Sequence, residues 1–246
     1  MIQVVKSDIS STNYKFAVEY ISNWAKAHES RYICAANVHM LMEAYDSVDY
    51  AQIVNAADLV TPDGMPLVWM LRLKGQRDQQ RVYGPTLMLH VLEAAARENI
   101  PVGFYGSSPE VLQSLLVIMK DRFPNLKVAY SFSPPFRDMT PDEDASAVNE
   151  INQSGARILF VGLGCPKQEE WMAEHKGKIN AVMLGVGAAF DFHARLKPQA
   201  PLWMQKIGLE WLFRFANEPR RLWRRYLYHN PRFVFLAILD LLGLLR

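Results

Sequence analysis

Short apolar runs along this chain alternate with longer stretches whose apolar positions recur at helical spacing. The runs 31–35, 57–60, 102–105, 127–132, 157–162 and 181–185 read as strands. Residues 13–28, 65–74, 86–99, 109–122, 142–153 and 167–176 read as helices. The alternation of the two types predicts an α/β fold, a largely parallel sheet with helices on both faces. Two helix starts carry their own chemistry. Ser108-Pro109-Glu110 and Thr140-Pro141-Asp142 each set a capping side chain before a proline in the first turn.

Composition narrows the class. The chain has 246 residues, 50% of them hydrophobic and 21% charged, which suits one large domain or a domain with an appendage and excludes a disordered or collagen-like chain. Two cysteines, Cys34 and Cys165, cannot build a disulfide framework and favour a reducing compartment. The first residues lack the basic-then-apolar pattern of a secretory signal, and no stretch reaches the roughly 18 apolar residues of a membrane span. A cytoplasmic protein is the expectation. The net charge of +2 is unevenly spread: residues 1–194 hold 17 Lys+Arg against 22 Asp+Glu, while residues 195–246 hold 10 against 3. An acidic body, 1–194, is therefore expected to end near Arg195, and a basic appendage, 195–246, to meet an anionic partner.

In parallel sheets ligands sit outside the carboxyl ends of the strands, so the strand-to-helix junctions are where chemistry is expected. Asn37 follows the first long strand, where it either caps the next helix or orients a sugar hydroxyl. Asp63, in Thr61-Pro62-Asp63-Gly64, is either a turn aspartate or a firmly held general base. Gly106, in Tyr105-Gly106-Ser107-Ser108, opens a turn that admits a phosphate or simply caps a helix. Gly164, Lys167 and Gln168, in Gly162-Leu163-Gly164-Cys165-Pro166-Lys167-Gln168, combine close backbone approach with a charge and an amide at a helix start. Cys165 has no sequence-adjacent histidine to activate it. Asp142-Glu143-Asp144 has the spacing of a sugar-transferase metal motif, but acidic residues in a first helical turn already meet the helix dipole favourably. Asp191-Phe192-His193 either touches a substrate or fastens the tail. No metal site is assigned.

In the tail, residues 203–228 interleave Trp203, Trp211, Trp223 and Tyr226 with Arg214, Arg220, Arg221, Arg224 and Arg225. Arg221, Arg224 and Arg225 share one face of a helix beginning at Pro219. Such a face suits lipid headgroups or a diphosphate. The apolar run 233–245 is too short to cross a bilayer. The alternatives are a helical cap docked on the body and a nucleic-acid surface. The acidic body disfavours nucleic acid, and an anionic membrane surface is the preferred partner.

Taken in order, TPDGMPLVW, RVYGPTLM, VGLGCPKQEEW, GVGAAFDF and APLWMQKIGLEWLFRFANEPRRLWRRY resemble the motifs of the WecG/TagA/CpsF family, glycosyltransferase family 26. The resemblance runs from about Cys34 to Tyr228. It implies a Rossmann-like α/β core with a C-terminal membrane-targeting appendage, peripheral on the inner face of the cell membrane. The implied reaction is an inverting transfer, without metal or other cofactor, from a UDP-sugar donor to a polyprenyl-diphosphate-linked sugar. On matching positions, it implies Asp63 as catalytic base, Asn37, Arg81 and Gln168 as pocket residues, and Arg214, Arg221 and Arg224 on the acceptor diphosphate. One position departs: Ala35 stands where many relatives carry Thr, so the donor sugar is not transferable from any one of them. An inactive nucleotide-sugar-binding module is the alternative; an oxidoreductase would need the full glycine fingerprint, which is missing. An exposed aromatic tail also allows a homo-oligomer when lipid is absent.

Overall fold

Strands buried on both faces need near-continuous apolar runs, and the central strands of this protein have them. In the computed structural model, which describes residues 1–245, the strands are β1 (Ile2–Val4), β2 (Ser7–Ile9), β3 (Arg31–Ala36), β4 (Leu59–Pro62), β5 (Val102–Gly106), β6 (Val128–Phe132), β7 (Ile158–Gly162) and β8 (Val182–Gly185). The helices of the first half are α1 (Tyr14–Lys26), α2 (Val38–Asp46), α3 (Val48–Asn55), α4 (Met65–Leu73), α5 (Gly84–Glu98) and α6 (Pro109–Arg122). Those of the second half are α7 (Pro141–Ser154), α8 (Lys167–His175), α9 (Ala189–His193), α10 (Leu202–Lys206), α11 (Glu210–Asn217) and α12 (Pro219–Leu241). The chain forms two compact units, one of Met1–Asn13, Ala35–Tyr83 and Gln199 onward, the other of Tyr14–Cys34 and Gly84–Pro198.

The second unit holds the parallel sheet, in the order β3-β8-β7-β5-β6. β3 pairs with β8 in register Arg31 to Val182, and β7 pairs with both β8 and β5. Phe104 and Phe160 stack at 5.5 Å in the core, with Phe190 edge-on at 5.9 Å from Phe104. α1 packs through Ala17, Ile21 and Ala25, spaced four apart on one face. Both expected caps form. The Ser108 hydroxyl accepts the Val111 N–H at 3.3 Å, and Thr140 with Glu143 closes a reciprocal capping box. At the end of β5, Gly106 adopts φ +119°, and a Cβ there would stand 2.7 Å from the Gly162 backbone.

The first unit contains β4, which lies beside the end of β3, together with α2, α3, α4 and the tail. It also contains a hairpin that the sequence pattern did not reveal: β1 and β2 pair antiparallel, Ile2 with Ile9 and Val4 with Ser7. Its two turn residues, Val5 and Lys6, both have positive φ (47° and 65°). A two-residue turn of this kind is normally signalled by Asn or Gly. Here the buried Val5 is held instead by its N–H donating to Asp240 Oδ2 at 3.0 Å. The expected boundary at Arg195 lies just before the point where the chain enters the first unit, and the tail from Gln199 is part of that unit. The physical reason is its docking face. Leu222, Tyr226, Phe233, Leu236 and Ala237 are buried, and Arg232 makes a two-pronged pair with Asp46 of α2 at 2.6 and 2.8 Å. α12 runs through Pro231, so the basic segment and the apolar run read separately in sequence are one helix. Among the described residues no helix is long and apolar enough to cross a membrane.

Gly106→Ala is expected to destabilise the protein by about 1–3 kcal/mol, because it combines an unfavourable φ with a backbone overlap. The shift in urea midpoint on chemical unfolding measures it.

Candidate active site

The turn after β4 is fixed by backbone bonds. The N–H groups of Asp63 and Gly64 both donate to the Ala36 carbonyl, at 2.9 and 3.1 Å, and Val82 N–H donates to the Pro62 carbonyl at 3.0 Å. Gly64 lies against Asn37: a Cβ on it would be 3.3 Å from the Asn37 Cα, leaving little room for any larger residue. Asn37 does cap α2, accepting the Met40 N–H at 3.3 Å, and the same Oδ1 accepts from Arg225 Nη2 at 3.4 Å. Asp63 itself is half-buried. Its position is thus set by a strand end, a glycine and a capped helix rather than by a flexible loop.

Arg81 ties this turn to the tail. Its Nε donates to the Asp63 carbonyl. Its Nη2 pairs with Glu210 Oε2 at 2.7 Å, and Nη1 reaches the Gln205 carbonyl at 3.5 Å. The other oxygen of Glu210 accepts the Tyr83 hydroxyl at 3.0 Å, and Gln199 donates to that hydroxyl at 3.3 Å. The guanidinium also lies over the Tyr83 ring, 4.1 Å from its centroid. Burial opposes the charge on Arg81, but the nearby carboxylates of Asp63 and Glu210 outweigh it, and its pKa is raised. Burial, then Glu210 and Asp63, push the Tyr83 hydroxyl well above its ordinary value, in keeping with its donating to Glu210.

Asn37, Asp63, Arg81, Arg214 and Arg225 line one cavity of about 500 Å³ within the first unit. The structure therefore brings together four residues named for the site from sequence and, of the three arginines placed on one helix face, Arg225. Arg221 and Arg224 are not in its wall: Arg221 pairs with Glu218, and Arg224 is solvent-exposed. Sequence reasoning also missed Glu210 and Tyr83. The available signal was Glu210 itself, one of three acidic residues in a strongly basic tail.

The other named residues belong to the second unit. Gly106 and Ser107 shape the turn after β5, with the Ser107 N–H on the Gly162 carbonyl at 3.1 Å. Gly164 has φ +84°, and its N–H donates to Gln168 Oε1 at 3.2 Å. Gln168 is buried, and its Nε2 donates to Glu169 at 2.6 Å. The amide thus holds the turn in which it sits. Lys167 is exposed beside Asp138 at 3.9 Å. Of the acidic triplet, Glu143 serves the cap and pairs with Arg137, whose hydrogen bonds hold its carboxyl down at about 2. Asp144 receives His175 Nε2 at 2.9 Å. Asp191 pairs with Lys197 at 3.5 Å and His193 bonds the Pro85 carbonyl at 2.8 Å, so this segment fastens structure. Among the described residues, one group has metal-ligand chemistry: His39, Glu43 and His229, with ligand atoms within 4.8 Å of one another.

Comparison with known proteins identifies the family. The family model described as "Glycosyl transferase WecG/TagA/CpsF family" matches residues 2–246. Two curated relatives carry the name N-acetylglucosaminyldiphosphoundecaprenol N-acetyl-beta-D-mannosaminyltransferase. That of Bacillus subtilis (strain 168) is 27% identical over 79% of this chain and 74% of its own length. That of Bacillus spizizenii is 27% identical over 95% of this chain and 87% of its own.

Removing the Glu210 carboxylate leaves a largely buried guanidinium without its ion-pair partner. Glu210→Ala should cost about 2–4 kcal/mol, below the full cost of breaking a completely buried pair because both groups keep some exposure. Chemical denaturation measures the loss, and limited proteolysis should show faster cleavage between α10 and α12.

Proposed function

The chain belongs to the WecG/TagA/CpsF glycosyltransferase family, and from that premise we propose that it transfers N-acetylmannosamine from its UDP-sugar to a polyprenyl-diphosphate-linked N-acetylglucosamine. The named activity of the two Bacillus relatives supports the acceptor and the sugar. The observation that carries the reading is the cavity: Asp63 shares it with three arginines, and its remaining walls are largely apolar. A carboxylate base, cations for a diphosphate and an apolar surround are what a lipid-diphosphate sugar acceptor requires.

The proposed chemistry is a single displacement. The Asp63 carboxylate takes the proton of the acceptor hydroxyl as that oxygen bonds to the anomeric carbon of the donor. The bond from that carbon to UDP breaks on the opposite face, which inverts the centre. General-base help of this kind contributes about 10²–10⁴-fold in rate. Negative charge developing on the departing UDP needs fixed donors, and protein groups supply them without a metal. In the first unit Arg81, beside Asp63, is assigned this role, while Arg214 and Arg225 are assigned to the acceptor diphosphate. In the second unit, the turns at Gly106 and Gly164 with Lys167 are the proposed donor-binding surface, and Gln168 acts from below by holding the second of those turns. The exposed tail arginines Arg221 and Arg224 are assigned to anionic headgroups. Leu202, Trp203, Trp223 and Leu227, all more than half exposed, sit on the same segment and suit an interfacial position.

Asp63→Asn should retain UDP binding and lose about 10²–10⁴-fold in turnover. The assay is UDP release in EDTA across a panel of UDP-sugars with a short-chain polyprenyl-diphosphate N-acetylglucosamine acceptor. Near-normal turnover in the variant would remove the base assignment. UDP-sugar binding without acceptor-dependent release would favour the binding-module alternative.

The membrane reading has its own test. Trp203→Glu combined with Trp223→Glu in the full chain should reduce co-sedimentation with anionic vesicles at least about tenfold, because interfacial binding scales with buried apolar area. Unchanged sedimentation would place the membrane contact elsewhere.

A further inference from the structure

The cavity wall changes character along its length. Near Asp63 it is polar, with Asn37 and Arg225 in contact across it at 3.4 Å. From there α4 presents Met65, Trp69 and Leu73 to the cavity, one on each successive turn. α12 presents Asn230, Val234, Ile238 and Leu241 at the same helical spacing. Both helices lead away from the polar end toward one ion pair, Lys74 with Asp240 at 2.7 Å, which follows Leu73 on one side and precedes Leu241 on the other. A polar head and a long apolar trough thus belong to one continuous site.

The trough is open rather than filled by protein. Leu73 is 69% exposed, Val234 57% and Ile238 52%. Large apolar side chains face each other across the groove, with the arginines at one end and a Lys74–Asp240 pair of no net charge at the other; this calls for an amphipathic ligand whose charge sits at one terminus. Its length is bounded by α12: from Asn230 to Leu241 the helix rises about 16 Å. An extended isoprene unit advances about 5 Å at ordinary carbon–carbon bond lengths, so the trough holds about three. The turn before α11 shapes its roof. Gly208 has φ +76°, and a Cβ there would stand 2.8 Å from the Trp69 ring, so only glycine leaves that ring in place.

We infer that the trough between α4 and α12 seats the first three isoprene units of the acceptor lipid while its diphosphate lies at the arginine end. This rests on the acceptor reading given above and extends it, because it assigns the chain to the protein and not to the bilayer. The site then draws the first part of the lipid out of the membrane and holds the sugar-bearing end at Asp63. The charge arrangement selects this occupant over a bilayer acyl chain or a second copy of the protein. Neither of those requires the arginine cluster to sit at one end of the apolar walls.

The test is a binding measurement on the full-length protein, read by the fluorescence of tryptophans that include Trp69 and Trp211 in the cavity wall. Farnesyl diphosphate, kept below its aggregation concentration, is compared with inorganic pyrophosphate. Three buried isoprene units should give farnesyl diphosphate an advantage of about 30-fold or more, even in a half-open groove. Ile238→Gln and Leu73→Gln, both at exposed positions, should each shrink that advantage several-fold while pyrophosphate still binds. Equal affinity for the two probes, or an advantage retained in both variants, would overturn the assignment. So would a dimer by sedimentation that Ile238→Gln dissociates and that shows no farnesyl advantage. Parallel transfer assays separate this inference from the reaction itself. Chain-dependent binding with no UDP release from any donor would leave the trough standing and remove the reaction. Transfer at equal KM to chainless and farnesyl acceptors would remove the trough and leave the reaction.

Discussion

The buried pair of Arg81 with Glu210 joins the turn that carries Asp63 to the segment that carries the tail. Arg81 spans both partners through different atoms, its Nε on the Asp63 carbonyl and its Nη2 on Glu210. Tyr83 completes the arrangement by satisfying the second carboxylate oxygen. A charge this far from water is tolerated only when paired and hydrogen-bonded on all sides. The tail's docking and the geometry of the Asp63 turn are therefore set by one shared network, and neither is satisfied without the other.

That constraint explains why the appendage belongs to the first unit. Its anchors are spread along its length: Glu210 at the start of α11, Arg225 on Asn37, Arg232 on Asp46, and Asp240 on both Lys74 and the Val5 N–H. The more exposed of these, such as Arg232 with Asp46, contribute little each, but the apolar face of α12 that lies between the anchors is buried. Asp240, which interrupts the apolar run in sequence, pairs with Lys74 beyond Leu73 and holds a strained turn through the Val5 N–H. The basic and apolar portions of the tail are thus two parts of one helix with different tasks.

Much of the fold was legible. All six central strands and the six helices expected from periodicity formed close to their expected limits, because buried parallel strands and amphipathic helices advertise themselves by apolar spacing. The β1–β2 hairpin was not legible, since Val5-Lys6 carries none of the residues that favour positive φ. Asn37 and Asp63 were legible as strand-end residues whose roles stayed open. Arg221 and Arg224 looked equivalent to Arg225 on the helix face, yet only Arg225 enters the cavity wall, because a shared face does not say which residue lies opposite α2.

By itself the sequence determined the α/β class, the strand ends at which Asn37 and Asp63 stand, the caps and the uneven charge. All of these depend on neighbours within a few residues along the chain. The tertiary structure decided that Glu210 reaches Arg81, that Arg225 reaches Asn37, and that α4 and α12 face each other across an open trough. Those pairings join residues more than a hundred positions apart. They follow from how apolar faces pack and where buried charges find partners, which local spacing does not encode.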